Sequence, residues 1–126
     1  MLAAEQVVTF LIATDADRAR SFYRDTLGLK YIREDAFALV FELKGGVGLR
    51  ISPVPAFTPA KHTVLGWDVP DITAKMAELK AAGIQFSNYG FPGQDETGLW
   101  TTPDGSKVAW FQDPDGNVLS LSQHTP

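Results

Sequence analysis

LGLKY (27–31) and AGIQF (82–86) share one pattern of glycine and apolar positions, 55 residues apart. In each, a helical stretch ends at the glycine and a strand begins after it. Upstream of the first copy, QVVTFLIA (6–13) reads as a strand, and Thr14 and Asp15 read as helix-starting residues. Asp17 falls in the first turn, and Ala19, Phe22, Tyr23 and Leu27 share one helix face. Downstream, LKYIRE (29–34), ALVFELK (38–44) and VGLRISP (47–53) read as strands, separated by Glu34-Asp35 and by Gly45-Gly46.

The second copy repeats this order. HTVLGWDV (62–69) reads as a strand, with Pro70 and Asp71 where a helix should start. Ile72, Met76 and Leu79 mark the apolar face of that helix. IQFSNY (84–89), KVAWFQ (107–112) and NVLSLSQ (117–123) read as strands, the last two joined by a turn at Asp113-Pro-Asp-Gly116. GVGLR (46–50) matches GNVLS (116–120) at an offset of 70 rather than 55. The expected architecture is therefore α+β, a β-α-β-β-β unit written twice, with 15 extra residues in the second copy within 87–106. The first module spans about 6–54, a Pro-rich link 53–61, and the second module about 62–123, all within one domain of 126 residues.

Composition removes several function classes. With 44% hydrophobic and 21% charged residues the chain can bury a core without staples. It has no cysteine, so disulfides, thiolate metal sites and cysteine nucleophiles are out. Net charge is −4 with no run of Lys and Arg, which argues against nucleic acid. No apolar run approaches the roughly 20 residues of a membrane span, and the N-terminus lacks a basic n-region. A cytoplasmic location with no membrane partner is expected. No nucleophile elbow or phosphate loop is present; Gly45-Gly46 has no helix after it to complete one.

TDADRARSFYRDTLGL (14–29), VPDI (69–72) and FQDPDGNVLSL (111–121) together resemble the vicinal oxygen chelate superfamily of glyoxalases, bleomycin-resistance proteins and extradiol dioxygenases. The resemblance covers nearly the whole chain. It implies two βαβββ modules whose strands curl into a cup, and commonly a homodimer. In that family a divalent metal takes one ligand from the first and one from the last strand of each module, with positions left open for substrate oxygens.

Counting from the family's motifs puts those four positions at Val8, Arg50, Val64 and Ser120. Valine has no donor atom and the arginine guanidinium has no acceptor, so no metal and no other cofactor is expected. An arginine there offers a cation that can take a carboxylate, enolate or phosphate bidentately; the alternative is a pair with a neighbouring acid. Strand alternation puts His62, Val64, Gly66 and Asp68 on the cup face and Trp67 against the helix.

The candidate ligand-binding set is Val8, Phe10, Phe41, Arg50, His62, Val64, Trp100, Trp110 and Ser120. Trp110, three before Asp113, is expected in the cup, with Phe10 and Phe41 as further aromatic candidates. Tyr89, Phe91, Asp95, Glu96 and Trp100 lie in the insertion, which reads as a lid or a dimer contact. The adjacent acids Asp95 and Glu96 point apart on an extended segment and are read as loop acids. Two functions follow. One is a metal-free protein binding a small aromatic or anionic molecule. The other is an enzyme of lyase, isomerase or dioxygenase type. Its candidate catalytic residues are Arg50 as oxyanion stabiliser and His62 or Asp68 as base; it becomes metal-dependent only if the register is wrong.

Overall fold

The structure is a computed structural model that describes residues 1–124. It divides into two compact units, the first Met1–Thr58 and the second beginning at Pro59. The first holds β1 (Val8–Ala13), α1 (Ala16–Arg20), β2 (Lys30–Glu34), β3 (Leu39–Glu42) and β4 (Gly48–Pro53). The second holds β5 (Thr63–Asp68), α2 (Ile72–Ala81), β6 (Trp100–Thr101), β7 (Lys107–Gln112) and β8 (Val118–Gln123). The sheets have the same strand order, β1-β4-β3-β2 and β5-β8-β7-β6. In both, the first strand runs parallel to the last and the remaining pairs are antiparallel. The duplicated order read from the two glycine patterns is thus a duplicated topology.

Both helices start where their polar residues dictate. Asp15 and Asp71 are N-caps with extended backbones, and their carboxylates accept from the N–H of Arg18 and of Ala74 at 3.1 Å. The first helix departs from the expected single α-helix. After Arg20 it widens into a π-helix over Ser21–Thr26, with the Leu27 N–H reaching the Phe22 carbonyl at 2.9 Å. The wider turn seats Tyr23 fully in the core, 5.1 Å edge-on from Phe22 and 6.1 Å from Phe41.

In each sheet the helix-facing side carries the buried apolar residues, Leu11, Leu39, Leu49 and Ile51 in the first and Ala109, Phe111, Leu119 and Leu121 in the second. Each strand contributes alternate residues to this side, which leaves the other side to the residues in between. Phe41 falls in phase with Leu49 and is 0% exposed, against the rings of Tyr23 and Tyr31. The expectation that Phe41 faces a ligand is corrected: its register carries the ring into the core.

The second unit departs from the expected strand list at IQFSNY. That stretch forms only an isolated bridge, Phe86 opposite Phe111. The edge position is completed later, by Trp100–Thr101 pairing with Lys107 and Val108. The insertion therefore splits the edge strand instead of following it. Its path is held by Gln94, whose amide donates to the carbonyls of Ser87 and Gly98 at 3.1 and 2.9 Å and accepts from the Tyr89 N–H at 2.8 Å. The final turn is held by the buried carboxylate of Asp113, which accepts from the N–H groups of Asp115 and Asn117 at 2.9 Å and from the Asn117 amide at 2.8 Å.

Candidate functional site

In the first unit, the open side of the sheet carries one row across all four strands: Phe10, Arg50, Val40 and Arg33. Val8 lies on the same side in the next row, opposite Gly48 and beside Glu42 and Lys30. Val8 and Arg50, placed by counting, thus share one face, two residues apart along the strands. Phe10 is 66% exposed there. Arg50 is half-buried, and its Nη2 donates to Asp35 Oδ2 at 2.7 Å. The acid alternative weighed for Arg50 is the contact the structure contains. Asp35 also accepts from the N–H groups of Phe37 and Ala38 at 2.9 Å. The Phe37 N–H, then the Arg50 guanidinium and the Ala38 N–H, hold its carboxyl down at about 2.

In the second unit the corresponding row is Gly66, Ser120 and Trp110, and the next is Asp68, Ser122, Val108 and Trp100. Ser120 lies so close over Gly66 that a Cβ there would sit 2.5 Å from its hydroxyl oxygen. A bulge at Val64 shifts the pairing, so that Thr63 falls opposite Val118. Residues directly opposite share a face, and one extra residue reverses the alternation. The periodicity that put His62 beside Val64 and Gly66 does not pass through this bulge, and His62 lies outside the strand. Asp68 keeps its register and is exposed on the open side.

The main feature of this unit is aromatic. Trp110, on β7, touches three rings: Tyr89 at 5.5 Å, Phe91 at 5.8 Å and Trp100 at 5.9 Å between centroids. Phe91 also contacts Tyr89 at 5.3 Å and Trp100 at 5.9 Å. Tyr89 and Phe91 remain 45% and 42% exposed. The Trp100 indole N–H donates to the Pro92 carbonyl at 3.0 Å, which fixes that ring on the insertion. A cavity of about 510 Å³ opens beside the cluster, lined by Phe91, Pro92, Trp100, Thr101, Thr102 and Pro103. A second, of about 530 Å³, lies on the helix side between α2 and residues 95–99. Its walls mix aliphatics with charged rim residues and present no aromatic cluster.

Trp100 and Trp110 were expected near a ligand, and the structure brings them together. That Tyr89 and Phe91 fold back onto them was not legible, because the contact spans a loop. Asp95, in the insertion, is part of its scaffold: it accepts from the Thr97 hydroxyl and from the N–H groups of Thr97 and Leu99, which lowers its pKa. Among the described residues, no three His, Asp or Glu side chains group as a metal site. No described helix is long and apolar enough to cross a membrane.

A sequence model of the Glyoxalase/Bleomycin resistance protein/Dioxygenase superfamily matches residues 5–121. The chain belongs to that superfamily. Among solved structures, it is similar to a glyoxalase family protein from Enterococcus faecalis at 24% identity and TM-score 0.75, covering 97% of this chain and 99% of that one. TnmS3, an antibiotic binding protein from Streptomyces sp. CB03234, is 24% identical with TM-score 0.74, and 99% of each chain is covered. A glyoxalase family protein from Bacillus anthracis is 21% identical with TM-score 0.74, covering 99% and 98%. At these identities the likeness is one of fold. No protein of curated function matches the sequence.

Proposed function

We propose that this superfamily member binds a small planar aromatic molecule against the open face of its second sheet, without a divalent metal. The observation that carries the reading is the Trp110 cluster. Four aromatic rings converge, two of them more than two-fifths exposed, beside a cavity with an apolar lining. A group of this kind offers π-faces to a flat ligand and few polar groups to satisfy. The antibiotic-binding relative TnmS3 supports a binding role in the same fold.

The residues at the family's metal positions do not fit a metal. Val8 and Val64 have no donor, Arg50 is cationic and already bonded to Asp35, and Ser120 offers a single hydroxyl. Metal analysis of the purified protein after incubation with manganese, zinc and nickel checks this, and a stoichiometric ion would overturn it. The family resemblance supports a homodimer, which sedimentation velocity reads directly.

All three tryptophans, Trp67, Trp100 and Trp110, lie in the second unit, so their fluorescence reports on it. Acridine and 2-naphthamide are suitable probes. Quenching should saturate in the wild type and weaken at least fivefold in Trp110→Leu, since each lost ring contact is worth about 0.5–1.5 kcal/mol. Binding of both probes at wild-type strength in Trp110→Leu would refute the reading, as would no binding by either at millimolar concentration.

A further inference from the structure

The two sheets present equivalent rows with opposite chemistry. Ser120 and Trp110 occupy in the second sheet the strand positions that Arg50 and Val40 occupy in the first. Where the second row is aromatic and uncharged, the first carries two arginines separated by one valine, with a phenylalanine at its end. Arg33 reaches this row through a bulge at Ile32, which turns it opposite Val40. Its neighbour Glu34 faces the other way, onto Arg20 of α1. Arg33 is exposed and makes no ion pair among the described residues. Two strand spacings separate the Arg33 and Arg50 backbones, about 10 Å, which two arginine side chains can bridge from either side.

Arg50 is pre-oriented. Asp35 grips its Nη2, and two backbone N–H groups grip Asp35. The guanidinium Nε and Nη1 make no hydrogen bond among the described residues, so donors remain for a second acceptor. The charged groups of this face are Lys30, Arg33 and Arg50 against Asp35 and Glu42, and Lys30 is paired with Glu42 at 2.9 Å. The face is therefore net cationic in a chain of net charge −4. Phe10, 66% exposed in the same row as Arg50, supplies an apolar surface at its end.

We infer that this row is an organic-anion site: the carboxylate of a planar aromatic acid sits above Val40 between Arg33 and Arg50, and its ring lies toward Phe10. Val40 supplies a dry floor, the guanidiniums supply forked donors matched to a carboxylate, and the aromatic edge selects organic over inorganic anions. The inference rests on the first sheet alone and does not depend on a ligand at the Trp110 cluster.

The test compares 2-naphthoate with its uncharged isostere 2-naphthamide by isothermal titration calorimetry at low ionic strength. Wild-type protein should bind the naphthoate at least tenfold more tightly than the amide. Arg33→Gln and Arg50→Gln should each weaken naphthoate at least fivefold and leave the amide unchanged, and Phe10→Ala should weaken naphthoate at least threefold. The preference for naphthoate should persist in Trp110→Leu, which separates this site from the aromatic cluster. Circular dichroism confirms folding of each variant, and Arg33→Gln, on an exposed position, decides the matter if Arg50→Gln does not fold. Equal affinity for the two probes in Trp110→Leu, or naphthoate binding unaffected by Arg33→Gln, would overturn the inference.

Discussion

Gly66→Ala tests the geometry of the second sheet's open face. A Cβ at residue 66 would stand 2.5 Å from the Ser120 hydroxyl oxygen, 3.3 Å from the Ser120 carbonyl oxygen and 3.7 Å from its Cβ. Relaxed contacts lie near 3.5–4.0 Å, so the hydroxyl is overlapped by roughly 1 Å while the other two atoms need shift little or not at all. Overpacking of this kind costs about 1–3 kcal/mol. Replacing a strand glycine with alanine returns about 0.5–1 kcal/mol. The net expectation is a loss of about 1–2 kcal/mol in the wild-type background. In a Ser120→Ala background the 2.5 Å contact no longer exists, and the same substitution should be close to neutral. The coupling between the two sites is then about 1–2 kcal/mol. Urea denaturation followed by tryptophan fluorescence on the four proteins of the cycle measures it. If Gly66→Ala costs the same in both backgrounds, the register that places Ser120 over Gly66 is wrong, and with it the row that ends at Trp110.

Two further outcomes are expected. Gly98→Ala should destabilise by about 2–4 kcal/mol, because residue 98 has φ +93° and an added Cβ would meet the Ser87 carbonyl at 3.0 Å and the Phe86 Cβ at 3.2 Å; urea denaturation reads the loss, and an unchanged midpoint would mean the insertion is not packed as described. Asp35 is held at about 2, so the stability it contributes is full above its unfolded value near 4 and is lost as pH falls toward 2. Asp35→Asn should flatten the acid limb of a stability-versus-pH curve in that window and leave the neutral region's slope unchanged.

The aromatic cluster explains what the extra residues of the second module do. In the first sheet, β2 runs as a continuous edge strand beside β3. In the second, the edge is interrupted between Phe86 and Trp100, and the excursion returns Tyr89 and Phe91 to Trp110. The interruption exchanges edge pairing for a built aromatic surface. Gln94, at the centre of the excursion, replaces the lost ladder bonds with three of its own.

Helix starts, strand alternation and the duplicated order were readable because they are local: a capping aspartate, a period of two and a terminating glycine act within a few residues of themselves. Counting from the motifs of the resembled family was enough to put Val8 and Arg50 on one face; that Trp110 pairs with Ser120 came from the structure. What the sequence could not carry is everything that depends on an inserted residue or a returning loop. The bulges at Ile32 and Val64 each reverse an alternation, bringing Arg33 into the row and ending the periodicity that carried His62. The π-helical turn, the burial of Phe41, the grip of Asp35 on Arg50 and the convergence of three rings on Trp110 are likewise tertiary. Each is settled by packing between segments distant in the chain, where a one-residue shift costs little locally and moves a side chain to the opposite face.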